Sequence, residues 1–234
     1  GKGTISRLLA NELGWQFRDS GALYRLIGLA ATRHAIDFGD KQGLATLAAH
    51  LDVEFVSADS GTGTKIFLEG EEVTNIIRSE ESGNNASKVA AVQAVRDALF
   101  ERQRAFLVAP GLIADGRDMG TVIFPDARLK IFLTASLEER ASRRYKQLKE
   151  KGFDVNVALL LQDIESRDLR DTQRSSSPLK AAEDAIEIDT TSLTIDEVVR
   201  LQLETMQSQS LEESIRFVRI TVPLALAVRD DVGL

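Results

Sequence analysis

The 234-residue sequence contains no cysteine. This absence excludes disulfide bonds and thiolate metal ligands, and it fits a reducing compartment such as the cytoplasm. No apolar run approaches the roughly 18 residues that a membrane-spanning helix needs, and nothing resembles a signal peptide. The sequence therefore predicts a cytoplasmic protein that binds no membrane.

Basic residues are outnumbered by acidic residues. The chain has 29 Lys and Arg residues against 36 Asp and Glu residues, which gives a formal net charge of −7. This balance argues against broad binding to the phosphates of a nucleic acid. Any phosphate chemistry must therefore use a few focused basic residues. A hydrophobic content of 43% is ordinary for a soluble globular protein of this length, which can bury a substantial core.

Short apolar runs alternate with amphipathic helical segments, a pattern that predicts an α/β core with a parallel sheet. Residues 53–75 depart from it, because apolar and polar positions alternate there as in an antiparallel meander. We predict turns within this insert at Gly61–Gly63 and at Gly70.

Helices and strands follow from local patterns. The first helix is predicted from Thr4 to Leu13, and the second begins after a turn at Asp19–Gly21. A third is predicted over 84–107 without a break, and a fourth over 138–152 after a capping box of Ser136 and Glu139. The last two are predicted over 155–174 and from Asp196 onward. The core strands are predicted after Trp15, in 111–118, in 128–135 and in 185–191. Near the end of the chain, Pro223 argues against a strand inside the sheet.

The first four residues, GKGT, precede a helix in the manner of a phosphate-binding loop. In such loops backbone N–H groups grip the anion, Lys reaches the terminal phosphates and Ser or Thr holds Mg²⁺. Lys2 and Thr4 have the right relation to the helix. The alternative is a Gly- and Lys-rich terminus without function.

Two further clusters follow predicted strands. In "RDSGALYR", Asp19, Ser20 and Arg25 bring a carboxylate and a guanidinium to one site, where Arg25 can clamp a phosphate; a helix cap with a solvated Arg is the alternative. In "IADGRDMG", Asp115, Arg117 and Asp118 come after a buried strand, where open α/β sheets bind their ligands; the alternative is a surface turn.

The segment "ESRDLRDTQR" carries a fourth cluster. Arg167, Arg170, Asp171 and Arg174 recur at helical spacing and are predicted to share one helix face. A solvated salt-bridge face is the usual explanation, but three arginines on one stripe also suit the stabilisation of a transferring phosphoryl group.

Together and in this order, these clusters resemble the bacterial cytidylate kinase family of P-loop nucleoside monophosphate kinases. The similarity extends from Gly1 to about Met206, and its most specific segment is "ADGRDMGTVIFPDA". "DSGALYR", "NNASKVAA", "KIFLTAS", "KGFDVN" and "RDLRD" also match. The resemblance implies a three-layer parallel-sheet core with an antiparallel insert and a helical lid. It implies transfer of a phosphoryl group from MgATP to CMP or dCMP, in pyrimidine nucleotide metabolism, by a monomer.

The resemblance also implies roles for single residues. Gly1, Lys2, Gly3 and Thr4 hold the ATP phosphates, with Thr4 on Mg²⁺ and Asp19 reaching the metal through water. Arg143 adds charge toward ATP. The catalytic residues are predicted to be Lys2, Arg117, Arg170 and Arg174.

The remaining implied roles concern the acceptor. Ser20, Arg25 and Arg117 position the monophosphate, where Arg174 arrives with the closing lid. Arg167 and Asp171 hold the ribose hydroxyls. For the base, Asp118 accepts from the 4-amino group of cytosine and repels uracil, while Ser87 and Arg96 serve the N3 and O2 acceptors.

The resemblance divides the chain into parts and leaves rival functions open. The core is expected to be 1–30, 83–150 and 175–206, the monophosphate-binding domain 31–82, the lid 151–174, and the tail 207–234 of unknown role. The family begins with a central strand and a fuller glycine loop that are absent before GKGT, and we hypothesise that "RFVRITV" takes that strand position. The alternatives are a catalytically impaired nucleotide-binding protein and a kinase that prefers UMP or AMP.

Overall fold

A computed structural model describes residues 2–57, 64–150, 152, 154–212 and 220–227 of the chain. The helices are α1 Lys2–Leu13, α2 Ser20–Arg33, α3 Lys41–Ala49, α4 Glu80–Val89, α5 Gln93–Arg104, α6 Leu137–Glu150, α7 Val157–Gln173 and α8 Ile195–Glu212. The strands are β1 Gln16–Asp19, β2 Val53–Ser57, β3 Thr64–Leu68, β4 Glu71–Glu72, β5 Leu112–Asp115, β6 Lys130–Thr134, β7 Ile186–Asp189 and β8 Ile220–Ala227.

These elements form two compact units. The first unit contains Gly1–Asp19 and Gln103–Leu234, and the second contains Ser20–Arg102. The division into core, monophosphate-binding domain and lid remains a prediction. Among the described residues, no helix combines the length and the apolar character that crossing a membrane requires.

The first unit is built on a five-stranded sheet in the order β1-β5-β8-β6-β7. β1 pairs with β5 in parallel, and β6 pairs with β7 in parallel. β5 is buried along its whole length, as expected for a parallel strand covered on both faces. The predicted α/β fold class with a parallel sheet is therefore confirmed.

The last strand, β8, lies in the middle of this sheet, so the expectation drawn from Pro223 is wrong. Pro223 has no N–H group and cannot donate to a ladder. It falls between the two paired stretches, because residues 224–227 pair with β5 and residues 220–222 pair with β6. Of the segment "RFVRITV", residues 216–219 lie outside the described residues, and Ile220–Val222 belong to β8.

Local signals at the ends of several elements agree with the sequence. Gly14 ends α1 with a φ of +65°, a conformation that glycine adopts at little cost. The predicted capping box begins α6, where the Glu139 N–H donates to Ser136 Oγ at 3.2 Å. α7 begins after Asn156, whose side chain accepts from the N–H groups of Ala158 and Leu159.

The second unit contains the predicted antiparallel meander. β2, β3 and β4 form a three-stranded sheet in which both pairings are antiparallel. Gly70, with a φ of +80°, lies in the turn between β3 and β4. The turn predicted at Gly61–Gly63 lies outside the described residues.

Two local predictions for the second unit are wrong. The helix predicted over 84–107 is interrupted after Val89, so that α4 and α5 are separate helices. The side chains around the break, Val89, Ala90 and Val92, are all buried, which indicates that packing rather than helix propensity decides the break. The turn predicted at Asp19–Gly21 is absent, because α2 begins directly at Ser20 and buries residues from its first turn onward.

The position of β8 predicts a requirement for the end of the chain. β5 and β6 are joined in the sheet only through β8 among the described strands, so removing residues 213–234 separates the two halves. We expect this deletion to abolish the cooperative urea unfolding transition followed by circular dichroism.

Deletion of residues 228–234 alone keeps β8 and serves as the matched control. An unchanged unfolding midpoint after the longer deletion would contradict the structural importance of β8.

Candidate functional site

The carboxyl end of β5 places a buried carboxylate next to the beginning of α1. Lys2 Nζ lies 2.7 Å from Asp115 Oδ1, and the side chain of Asp115 is 5% exposed while that of Lys2 is 29% exposed. The contact is an ion pair without hydrogen-bond geometry. In the parallel register Asp115 pairs with Asp19, so two strand ends bring two carboxylates to one edge of the sheet.

This environment changes the protonation of Asp115. Burial raises the pKa of the Asp115 carboxyl to about 6, and the charge of Asp19 acts in the same direction. Lys2 and Arg117 oppose the increase by favouring the carboxylate. Desolvation is the largest of these effects, so the ion pair compensates only partly for burial.

Beside this pair lies a cavity of about 450 Å³, called here the basic cavity. Its walls come from α1, the loop after β5, the end of β6, α6 and α7. Its basic lining residues are Lys2, Arg117, Arg140, Arg143, Arg144 and Arg167. Asp168 is the acidic residue in the described lining. Such a surplus of positive charge suits a polyanionic ligand.

Arg143 is held by four hydrogen bonds. Its Nε donates to Glu139 Oε1 at 2.7 Å, and its Nη1 donates to Thr190 Oγ1 at 3.1 Å. Its Nη2 donates to the backbone carbonyls of Thr190 and Leu193. The guanidinium plane is therefore fixed between α6 and the loop after β7.

A second cavity, of about 520 Å³, adjoins the basic cavity. The two cavities share Ile5, Arg143 and Gln147 in their linings. Residues 191–195, which follow β7 and reach the start of α8, form another part of the wall of the second cavity. A ligand in the basic cavity can therefore extend past Arg143.

Two ion pairs connect α7 to its surroundings. Arg140 Nη2 of α6 lies 2.6 Å from Asp168 Oδ2. Arg117 Nε donates to Asp171 Oδ2. Leu160 and Ile164 of α7 also pack in a buried apolar cluster with Ala141 of α6.

Arg174 is the residue at which α7 ends. Its N–H donates to the Arg170 carbonyl at 3.1 Å, and its ψ of 141° turns the chain out of the helix. Its side chain is buried, and its Nε donates to the Ser177 carbonyl at 2.8 Å. Arg170 keeps a buried Nη1 atom without a hydrogen-bond partner. Of this cluster, Arg167 lines the basic cavity.

Asp118 is buried at 2% exposure just before a π-helical turn, Met119–Ile123. Its backbone carbonyl accepts from the Val122 N–H at 2.8 Å. The turn thus fixes the backbone of Asp118, one residue after Arg117.

In the second unit, Arg25 connects α2 to the segment before α4. Its Nη1 donates to the carbonyls of Ile77 and Ser79 at 2.8 and 3.0 Å. Ser20, at the start of α2, is buried at 6% exposure.

Arg96 and Ser87 are also buried in the second unit, at 5% exposure each. The Arg96 guanidinium carbon lies 5.6 Å from the centre of the Tyr24 ring, within cation–π distance. Arg96 Nη1 donates to the Ala90 carbonyl at 3.1 Å, at the break between α4 and α5. The break therefore helps to hold Arg96.

The structure thus brings four of the predicted residues, Lys2, Arg117, Arg143 and Arg167, to one cavity. Gly1 lies outside the described residues, and the roles assigned to all these residues remain predictions. Sequence reasoning named Asp115 in the cluster after β5 without giving it a separate role. It assigned no role to Arg140 or Asp168, because that pair depends on how α6 and α7 pack.

The raised pKa of Asp115 predicts a pH dependence of stability. The carboxyl of Asp115 has a pKa of about 6 in the folded state and its ordinary pKa of 3.8 in the unfolded chain, so the free energy of unfolding increases as the pH falls between these values. Relative to Asp115→Asn, the wild-type protein should gain about 1.4 kcal/mol between about pH 7.5 and about pH 5 in urea unfolding without metal. If the free energies of unfolding of the two proteins changed in parallel with pH, Asp115 would not titrate in this range.

Comparison with known proteins agrees with this geometry. The family model for cytidylate kinase matches residues 1–208. A cytidylate kinase of Pseudomonas aeruginosa (strain LESB58) is 62% identical over 199 residues, which cover 85% of this chain and 87% of the relative. A cytidylate kinase of Stutzerimonas stutzeri (strain A1501) is 59% identical over 211 residues, which cover 90% of this chain and 92% of the relative. The chain therefore belongs to the cytidylate kinase family.

Proposed function

We propose that this protein transfers the terminal phosphoryl group of ATP to CMP or dCMP, giving ADP and CDP or dCDP. The observation that carries the proposal is the basic cavity, in which cations from α1, the β5 loop, α6 and α7 meet at one edge of a parallel sheet. Membership of the cytidylate kinase family gives the substrates. Phosphoryl transfer requires chiefly that two nucleotides are aligned and that their charge is neutralised.

The donor phosphates are proposed to bind at the beginning of α1. Lys2 lines the basic cavity, and Gly3 and Thr4 follow it in the first turn of the helix, where N–H groups favour anions. Gly3 lies close to Asp115, since a Cβ built at Gly3 would be 3.6 Å from Asp115 Oδ2. The phosphates of ATP would therefore compete with Asp115 for the Lys2 ammonium.

The same edge of the sheet fits a magnesium ion bound together with phosphates. Asp19 and Asp115 are neighbours in register, and Thr4 adds a hydroxyl, which gives the oxygen donors that Mg²⁺ prefers. The described residues contain no group of three acidic or His side chains that could hold a metal alone. This fits Mg²⁺, which usually binds through one or two carboxylates, water and substrate phosphates. When bound, the ion would neutralise phosphate charge.

Arg143 is proposed to serve the donor nucleotide with the face of its guanidinium. Four of its five N–H bonds already donate to Glu139, Thr190 and Leu193. The charge toward ATP expected from the sequence therefore comes from a group with few N–H bonds left for a ligand. A guanidinium fixed in one plane between two adjoining cavities can stack on a flat ring. The base of ATP would then lie in the second cavity and its phosphates in the basic cavity.

The acceptor residues are proposed to be those that the resemblance implies. Arg117 offers its terminal nitrogens to the monophosphate, and Ser20 and Arg25 are proposed to position it. Asp118 would accept from the cytosine 4-amino group, supported by Ser87 and Arg96 as the resemblance implies.

The alternatives are not favoured by the family assignment. A nucleotide-binding protein without turnover, or a kinase that prefers UMP or AMP, would share the basic cavity but not the reaction or the base preference. The monomeric state and a cytoplasmic location are part of the proposal, and sedimentation of the purified protein tests the first.

Base selection tests the proposed reaction. In a coupled assay of ADP release with CMP, dCMP, UMP and AMP, we expect CMP and dCMP to give the highest kcat/KM. Asp118→Asn should reduce the preference for CMP over UMP by about tenfold, because an amide can also donate to the uracil carbonyl.

Asp126→Asn removes a carboxylate elsewhere in the segment "ADGRDMGTVIFPDA" and is the control for the loss of charge. Binding of CMP without ADP release would favour the non-catalytic alternative, and an unchanged CMP preference in Asp118→Asn would remove Asp118 from base recognition.

The stacking role of Arg143 is tested by a change that keeps its charge. Arg143→Lys should raise the KM for ATP by about tenfold and leave the KM for CMP unchanged, because Lys cannot offer a planar face. Arg144→Lys, at the neighbouring cavity-lining arginine, is the matched control and should change the KM for ATP by less than about twofold. Equal effects of the two substitutions would mean that Arg143 acts as a general cation.

A further inference from the structure

Asp118 is connected through its backbone to the π-helical turn Met119–Ile123, which follows it directly. The Asp118 carbonyl accepts from the N–H group of Val122 at 2.8 Å and from those of Thr121 and Ile123 at 3.3 Å each. Only two side-chain torsions separate the Asp118 carboxylate from this backbone. The turn therefore decides where the carboxylate lies.

The turn is buried and has an uncommon backbone. π-Helical turns are rare, their hydrogen bonds join residues five positions apart, and they are frequent at functional sites. The Phe124 N–H closes this turn by donating to the Met119 carbonyl at 2.7 Å. Met119, Ile123 and Phe124 are 1%, 2% and 4% exposed. In such surroundings the carbonyl groups of the turn need hydrogen-bond partners.

Arg104, the last residue of α5, provides such a partner. Its Nη1 donates to the Ile123 carbonyl at 2.5 Å, across 19 positions of the chain. Its guanidinium carbon lies 5.9 Å from the centre of the Phe124 ring, within cation–π distance. The guanidinium thus contacts both the last residue of the turn and the residue after it. A cation is also favourable at this end of a helical turn, where the carbonyl oxygens carry partial negative charge.

The Arg104 side chain reaches the buried turn from the protein surface. Arg104 is exposed, so its bond to the Ile123 carbonyl is not part of the packing of the core. We therefore expect loss of this bond to loosen the turn without unfolding the protein.

We propose that Arg104 is a positioning residue for recognition of the cytosine base. It fixes the carboxyl end of the π-helical turn, and the turn holds the Asp118 carboxylate where it accepts from the cytosine 4-amino group. Arg104 acts through the backbone of residues 118–123 and not as a ligand of the nucleotide. The inference rests on the proposed function, in which Asp118 reads the base.

The test is the ratio of kcat/KM for CMP to kcat/KM for UMP. Arg104→Met keeps an unbranched side chain but removes the donor to Ile123, and it should lower this ratio by about fivefold with the KM for ATP unchanged. Arg104→Lys keeps a cation that can donate to the carbonyl and should lower the ratio by less than about twofold. In the double variant of Arg104→Met with Asp118→Asn, the ratio should be no lower than in Asp118→Asn alone, because both changes remove one interaction.

Arg102→Met is the matched control. Arg102 lies on the same helix, and its Nη1 also donates to a distant backbone carbonyl, that of Leu51, at 2.8 Å. Its substitution should leave the ratio unchanged. Amide hydrogen exchange at Val122 and Ile123 gives a second readout, which should become faster in Arg104→Met but not in Arg102→Met. Arg104→Gln, which shortens the side chain, replaces Arg104→Met if that variant does not fold.

An unchanged ratio in Arg104→Met, an equal loss in Arg104→Lys, or a further loss in the double variant would overturn the inference. Absence of ADP release from the wild-type protein would contradict the proposed function. Calorimetric titration with CMP and UMP then measures the same preference as a ratio of affinities. Wild-type turnover with a CMP preference that Arg104→Met leaves intact would contradict only the role of Arg104.

Discussion

The arrangement of this protein depends on concentrating positive charge at one edge of a sheet within a chain of net charge −7. Six basic side chains line one cavity of about 450 Å³ and repel one another there. Such a group is stable only if carboxylates lie close to the cations. The fold provides them, because Asp115, Asp168 and Asp171 each contact a cation that is distant in the sequence.

These carboxylates are not equivalent. Asp115 and Asp171 are almost fully buried and contact cations that reach the cavity. Asp168 is about one-third exposed and pairs with Arg140 at the cavity surface. A buried carboxylate is costly unless it is paired, and an anionic ligand would compete with it for the same cation. The cations of the cavity are therefore only partly neutralised by the protein itself.

The parts of the fold that sequence predicted correctly are those with local signals. Gly14 ends α1, Ser136 begins α6, and alternating residues form β2 and β3, because capping and period-two patterns act within a few residues. Patterns that depend on distant packing were missed. The break between α4 and α5 follows from burial around Ala90, and the burial of Arg174, whose Nε donates to the Ser177 carbonyl, depends on the path of the chain after α7.

By itself the sequence determined the α/β class, the family and most of the cations, since "GKGT", "ADGRDMG" and "RDLRD" are local motifs whose order is specific. Only the tertiary structure decided how these motifs are used. It paired Arg117 at the cavity wall with Asp171, fixed the N–H groups of Arg143 on the loop after β7, and inserted β8 between β5 and β6. The physical reason is that hydrogen bonds and strand pairing join residues 47 to 115 positions apart, and a local pattern carries no information about such distances.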